Sequence, residues 1–213
     1  MRWTFGEQPL DETVELAAVL RRLTSLAQAQ EGPSPTVREL TDHLVEVERV
    51  LAAEVPPSPL PRVGVNADGD GRVYVDHARD IGAFNPSFPV YDLTIDEDDG
   101  SAHGSVEFPV VYEGPPGLVH GGFLAVFFDC VIQHHNCDVG VAGKTTDLQL
   151  RYRRPTPLLT PLTFDITRTV DGDRIESHAR LLLGEKACAE ATMLAVAGDR
   201  ANLPVVSPRK AIS

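Results

Sequence analysis

The sequence predicts an α+β fold in which an antiparallel sheet wraps around one central helix and a helical hairpin precedes the sheet. Three patterns lead to this prediction. The first sixty residues carry apolar side chains at helical spacing. The segment after His120 is apolar on nearly every side, as in a helix buried all round. The rest alternates short strand-like runs with turn residues, which is typical of antiparallel strands.

The helical hairpin is predicted from two apolar stripes, which we expect to pack on each other or on the main domain. The first stripe consists of Leu16, Leu20, Leu23 and Ala27, and the second of Val37, Leu40, Leu44, Val47 and Leu51. "QEGPS" separates the two helices, and "PPSPLP" at 56–61 ends the second. Docking of a partner protein on these helices is a less common use of such stripes.

Three domains follow from this division. Residues 1–61 are the helical hairpin and a Pro-rich linker, 62–200 the domain of sheet and central helix, and 201–213 a C-terminal tail. Within the second domain, hairpin turns are predicted at Asp98–Gly100, Asp171–Asp173 and Gly184–Lys186. "KTTDLQLRYRRPTP" reads as a strand ended by prolines. "NADGDGRVYVDH" begins like a calcium loop, but its twelfth position is a histidine, so we interpret it as a turn.

Composition excludes several classes of partner. The net charge of −12 argues against nucleic acid and anionic membranes, and an anionic ligand would need a local basic patch. The three cysteines are odd in number and lack C-x-x-C spacing, which argues against a disulfide framework and favours a reducing cytoplasm. No apolar run approaches the ~20 residues of a membrane span. We therefore expect a cytoplasmic protein.

The stretch "EGPPGLVHGGFLAVFFD" carries the chemistry. Its glycines leave the backbone N–H groups of a helix start unhindered, where the helix dipole stabilises a negative or polarised oxygen. That is the requirement for an oxyanion hole. Asp129 lies in the same apolar helix, where an unpaired carboxylate is costly, so an acid–base or nucleophilic role is favoured over a structural one.

Helix geometry constrains how Gly121 and Asp129 act together. They are eight residues apart, which is about 12 Å along a helix axis. One reacting carbon must lie within about 3 Å of both groups, and a single helix does not allow this. If both groups act, Asp129 comes from a second copy of the chain, which predicts a homodimer with shared sites.

The chain resembles the hotdog-fold acyl-CoA thioesterases of the phenylacetate-degradation (PaaI-like) type over about residues 80–198. The resemblance rests on HGG with Asp129 eight residues after its first glycine, on the "YRRPTPL" strand end and on "NPSFPV" upstream. It implies hydrolysis of an acyl-CoA or acyl-carrier-protein thioester in a cytoplasmic homodimer or homotetramer, without a cofactor. The helical hairpin lies outside the resemblance.

The resemblance also implies roles for individual residues. The Gly121 N–H polarises the thioester carbonyl, and His120 borders the same loop. Asp129 of the other subunit attacks the carbonyl or activates water, which the Thr145 hydroxyl positions. Substrate-binding roles fall on Gly122, Phe123, Thr146, Arg151, Arg153 and Arg154. The arginines fit the phosphates of coenzyme A, although a solvated strand end is the commoner fate of such a run.

Two departures from the family pattern stand out. Gly114 occupies the position where some relatives carry a polar amide. Strict strand alternation also places Thr145 on the same face as Asp147, away from Leu148.

Other functions remain open at this point. A non-catalytic acyl-CoA-binding or regulatory protein is one, and an enoyl-CoA hydratase is another, because Asp129 and His134 have D-x-x-x-x-H spacing. The cluster of His134, His135, Cys137 and Asp138 hints at a metal, but histidines are favourable near a helix C-terminus without one, so we expect no metal site.

Overall fold

The computed structural model describes residues 9–54, 64–65, 72–73, 80–137 and 143–197. The linker at 56–61, most of the calcium-like segment, Asp138 and the tail from 201 lie outside the described residues.

Five helical segments and eight strands make up the described chain. The helices are α1 (Asp11–Gln28), α2 (Pro35–Glu54), α3 (Ile81–Phe84), a 3-10 helix (Val110–Tyr112) and α4 (Gly121–Asn136). The strands are β1 (Gly64–Val65), β2 (Arg72–Val73), β3 (Tyr91–Ile95), β4 (Ala102–Val106), β5 (Gly143–Tyr152), β6 (Leu162–Asp171), β7 (Arg174–Leu183) and β8 (Lys186–Ala197).

Six strands form one antiparallel sheet in the order β3-β4-β6-β7-β8-β5. The three predicted turns join β3 to β4, β6 to β7 and β7 to β8, so these predictions are confirmed. The predicted proline-terminated strand is β5, which pairs with β8 at the edge of the sheet. β1 and β2 pair separately.

The core lies between α4 and the inner face of the sheet. Phe127 is fully buried at its centre, with ring centroids 5.3 Å from Phe108 and 5.5 Å from Phe164. The prediction that α4 is buried nearly all round is wrong on one face, because Phe123 is 38% and Val126 is 51% exposed. The inner face of the sheet covers only one side of α4, and Phe123 and Val126 lie on the side that it does not cover.

α1 packs on the main domain, against α3 and the 3-10 helix. Its docked face differs from the predicted stripe, since Ala17 and Arg21 are buried whereas Leu16 is half-exposed. The Arg21 guanidinium donates to the backbone carbonyls of Phe88 at 2.8 Å, Gly82 at 2.7 Å and Asn85 at 2.9 Å. A periodicity argument assigns the most apolar face to the interior and so passes over a buried arginine.

α2 confirms the second predicted helix but not the packing of the two stripes on each other. Within the described residues α2 has no buried side chain and no extensive contact with another element. Leu44 and Leu51 of its stripe are exposed. No helix of the described chain is both long and apolar enough to cross a membrane.

Candidate active site

The first turn of α4 leaves one backbone donor available. His120 is the N-cap, with extended backbone at φ −65° and ψ 131°, and its Nδ1 accepts the Gly122 N–H at 3.0 Å. The Phe123 N–H donates to the His120 carbonyl at 2.9 Å. The Gly121 N–H makes no hydrogen bond within the described part of the chain. The hydrogen bonds to His120 thus satisfy the N–H groups of Gly122 and Phe123 but not that of Gly121.

Gly121 opens onto a cleft of about 380 Å³. The cleft is lined on one side by Leu118 and Leu124, and on the other by Tyr152, Arg153 and Arg154. The Tyr152 hydroxyl donates to the Gly121 carbonyl at 3.0 Å, which ties the end of β5 to the first turn of α4. A larger cleft of about 610 Å³, lined by Thr146 and Leu194 among others, includes none of the residues with candidate chemistry except Thr146.

Gly114 is explained by the path of the loop. A Cβ at position 114 would lie 2.8 Å from the Cα of His120, closer than real contacts allow. The polar amide found at this point in some relatives would therefore displace the N-cap of α4 in this chain. The loop of this chain therefore has no room for a side chain at position 114.

Asp129 lies in the third turn of α4 and is bonded to Thr145. The Thr145 hydroxyl donates to Asp129 Oδ1 at 2.8 Å. Strict alternation would place Thr145 on the same face as Asp147, but the register of β5 on β8 shifts between Thr145 and Asp147. The bulge absorbs one residue, Thr146, and turns Thr145 toward the helix with Leu148.

Gln133 belongs to the same network, although the sequence analysis did not select it. Its Nε2 donates to the Thr145 hydroxyl oxygen at 2.8 Å, and its side chain is 93% buried. Its position four residues after Asp129, one turn along the same helix face, is the signal that could have identified it.

Cys130 is excluded as the reactive group beside Asp129. Burial, and to a smaller extent the negative charge of Asp129, raises the pKa of the Cys130 thiol to about 12. A thiol is a poor nucleophile when so little of it is thiolate. The Asp129 carboxylate is therefore the better candidate.

The structure places the other predicted binding residues at different points. Gly122 and Phe123 lie in the first turn of α4, whereas the Thr146 hydroxyl donates to the Leu194 carbonyl. Arg153 pairs with Glu190 at 2.7 Å, and Arg154 Nη1 donates to the Ala187 carbonyl at 2.8 Å. Arg151 is exposed on β5 opposite Glu190.

His134 and Asp129 bond to different partners. The His134 Nδ1 lies 2.8 Å from the Tyr91 hydroxyl, whereas Asp129 accepts from Thr145, and His135 Nε2 lies 2.7 Å from the Gly100 carbonyl. These contacts do not give the hydratase interpretation any support. Among the described residues no group of three or more potential ligands is arranged to hold a metal.

No protein-family model matches the sequence. No curated protein sequence matches it either. The structure, however, matches that of a thioesterase superfamily protein with a TM-score of 0.67 and 26% identity, covering 90% of this chain and 98% of that chain. The chain has the hotdog fold of thioesterase superfamily proteins. The predicted resemblance is confirmed.

Two further solved structures match about half of this chain. The E. coli PaaI protein from the phenylacetic acid degradation operon has a TM-score of 0.47 and 16% identity, over 51% of this chain and 80% of that chain. A hypothetical thioesterase from Streptococcus pneumoniae TIGR4, solved with coenzyme A, has a TM-score of 0.46 and 17% identity, over 50% and 87%.

The match to the thioesterase superfamily protein, which covers 90% of this chain, also includes part of the N-terminal helices. Residues from 62 onward make up well under 90% of the 213 residues, so the match extends into the helical part. The helices that lay outside the sequence resemblance are thus shared, at least in part, with a thioesterase superfamily protein.

Proposed function

We propose that this protein hydrolyses acyl-CoA thioesters to the free acid and coenzyme A. The observation that carries the proposal is the Gly121 N–H at the start of α4, which has no partner among the described residues, at a residue that lines a cleft. A donor fixed in this way stabilises the negative charge that develops on a thioester oxygen during attack. The likeness to a thioesterase superfamily protein supports the same reaction.

Asp129 is the second proposed catalytic group, beside the Gly121 N–H. In the general-base route it takes a proton from water, the water oxygen bonds to the carbonyl carbon, and the C–S bond breaks to release coenzyme A. In the nucleophilic route the carboxylate attacks first and water then hydrolyses the anhydride. Both routes need the carboxylate, which Thr145 holds in place. After a single turnover in ¹⁸O-water, label in Asp129 identifies the nucleophilic route, in which water attacks the Asp129 carbonyl of the anhydride.

The two elements come from different subunits. Gly121 and Asp129 both lie in α4, so about 12 Å of helix separates them within one chain. Asp129 shares its helix face with Val126 and Phe123, which are exposed. An exposed apolar strip beside a candidate catalytic group supports a dimer in which α4 meets its counterpart.

Arg153 and Arg154 are the proposed contacts for coenzyme A phosphates. Both line the cleft that begins at Gly121. Glu190 pairs with Arg153, so the two arginines and this carboxylate together leave one positive charge as the local basic patch that an anionic ligand requires in a chain of net charge −12.

A thiol-release assay over a panel of acyl-CoAs tests the reaction, with Asp129→Asn as the decisive variant. This change keeps the side-chain shape and removes both the base and the nucleophile, so kcat should fall by at least ~10²-fold while binding persists. Asp147→Asn is the matched control, because Asp147 bonds to Gln149 on β5 and leaves Asp129 untouched. Binding without turnover by the wild-type protein would identify a non-catalytic binding module instead.

Subunit sharing is tested by complementation. Gly121→Pro removes the N–H donor at a position where proline is tolerated, the first residue of a helix. Differently tagged Gly121→Pro and Asp129→Asn chains, each inactive alone, are co-expressed and purified through both tags. Activity in the mixed dimer supports shared sites, since one site is then intact. An inactive mixed dimer would place both groups in the same chain.

A further inference from the structure

We propose that Gln133 is a positioning residue that directs the Thr145 hydroxyl proton toward Asp129. The inference rests on the proposed function, in which Asp129 is the reacting carboxylate. It assigns to the site a third side chain, which acts on the reaction through the orientation of the Thr145 hydroxyl.

Three atoms form the connection. Gln133 Nε2 is 2.8 Å from Thr145 Oγ1, and Thr145 Oγ1 is 2.8 Å from Asp129 Oδ1. Asp129 and Gln133 are one turn apart on α4, and Thr145 faces them from the bulge in β5. Because Gln133 is buried, water competes poorly for its amide.

The direction of the chain of hydrogen bonds follows from charge. An ionised carboxylate only accepts, so the Thr145 hydroxyl must be the donor in its bond to Asp129. The remaining lone pairs of that hydroxyl then accept from the Gln133 NH₂ group. The opposite amide orientation would draw the Thr145 proton toward the Gln133 carbonyl and leave Asp129 without this donor.

The unpaired carbonyl of Gln133 supports this assignment. With the NH₂ group on Thr145, Gln133 Oε1 is buried and has no hydrogen-bond partner among the described residues. An unpaired buried acceptor is unfavourable, and an apolar residue of similar size would avoid it. The presence of glutamine at this position, in spite of that cost, is consistent with a requirement for its N–H at Thr145.

Without the Gln133 amide, the Thr145 hydroxyl can donate to other acceptors. It can rotate toward the Met193 sulfur, which lies 3.8 Å from Thr145 Oγ1, or toward solvent. Asp129 would then be held less well during the chemical step, while the cleft at Gly121 is unchanged. Loss of Gln133 should therefore lower kcat and leave KM nearly constant.

Gln133→Met, which keeps the volume and removes the amide, is compared with the wild type, Thr145→Val and the double variant. We expect kcat to fall about five- to tenfold in Gln133→Met, the effect of one hydrogen bond, with KM within about twofold. In the Thr145→Val background Gln133→Met should have no further effect, because the hydroxyl is gone. An equal fall in both backgrounds, or unchanged kcat in the single variant, overturns the proposal.

Gln133→Glu adds a pH readout. When protonated, the introduced carboxyl group still donates to Thr145, but when ionised it only accepts and competes with Asp129 for the hydroxyl proton. The ratio of its kcat to that of the wild type should therefore decline as the pH rises from about 5.5 to about 8.5. A ratio that is constant over this range contradicts the assigned direction.

Denaturation of the same four proteins separates this inference from the proposed function. Non-additive unfolding free energies for Gln133→Met and Thr145→Val indicate the coupling without any turnover. Coupling in a wild-type protein that hydrolyses no thioester would refute the proposed function alone. Additive stabilities would refute the Gln133 assignment even if the enzyme is active.

Discussion

Arg21 and Gly121 both present N–H groups that match carbonyl oxygens, but only Arg21 finds its acceptors within the chain. The Arg21 guanidinium donates to three backbone carbonyls of the segment from Gly82 to Phe88 and is 93% buried. The Gly121 N–H lines a cleft and makes no bond within the described residues.

This difference in hydrogen bonding distinguishes a structural group, Arg21, from a candidate functional group, Gly121. Saturated donors hold two elements together, because breaking them would leave buried carbonyls unpaired. A donor without a partner among the described residues stabilises the chain less, and under the proposed function it serves an oxygen of the substrate. Variants at Gly121 should therefore change activity, and variants at Arg21 stability.

The largest effect is expected for Gly121→Pro. It removes the proposed oxyanion donor, and kcat should fall by about 10²–10³-fold. The fold should tolerate it, because Gly121 is the first residue of α4 and the extended backbone of His120 suits a following proline. A thiol-release assay measures kcat, and thermal unfolding measures the stability of the fold.

Gly121→Ala is the matched control for this variant. It adds a Cβ near the Tyr152 hydroxyl, at 3.1 Å, but retains the N–H. It should keep most of the activity. Equal losses in the two variants would mean that bulk, not the donor, is responsible, and the contrast with Arg21 would fail.

The next effect is on stability. Arg21→Met removes three hydrogen bonds from a buried charged group and should lower the free energy of unfolding by about 2 kcal/mol, with kcat within about threefold of wild type. Arg22→Met on the exposed face of α1 is the control and should change stability by less than about 0.5 kcal/mol. Urea denaturation gives both values.

Removal of the N-terminal helices tests the contribution of α1, which carries Arg21, to the stability of the domain. The division at residue 61 predicts that a chain starting at Arg62 keeps the sheet and α4 but is less stable. The loss of stability should equal or exceed that of Arg21→Met, since α1 is absent altogether. A truncated chain as stable as the full one would show that α1 contributes nothing to the domain.

The smallest effect is expected for Tyr152→Phe. The hydroxyl donates to the Gly121 carbonyl and steadies the first turn of α4, so its loss should lower kcat/KM about three- to tenfold without unfolding the protein. A fall beyond ~10²-fold would mean that Tyr152 contacts the reacting group itself. Thiol release at several substrate concentrations distinguishes these outcomes.

Much of the fold could be predicted because its signals are local. The turn residues at Asp98–Gly100 and Asp171–Asp173 lie where strands reverse, and the apolar run after His120 forms the central helix. The helical rise per residue alone indicates that Gly121 and Asp129 are too far apart to meet within one chain.

Tertiary structure decided what local patterns do not encode. The bulge that turns Thr145 toward Asp129 depends on pairing with β8, more than 40 residues away along the chain. The burial of Arg21 depends on carbonyls of a loop more than 60 residues away. Gln133 became part of the candidate site only when α4 and β5 were brought together. Periodicity describes one element at a time, whereas side-chain partners are set by which elements pack against each other.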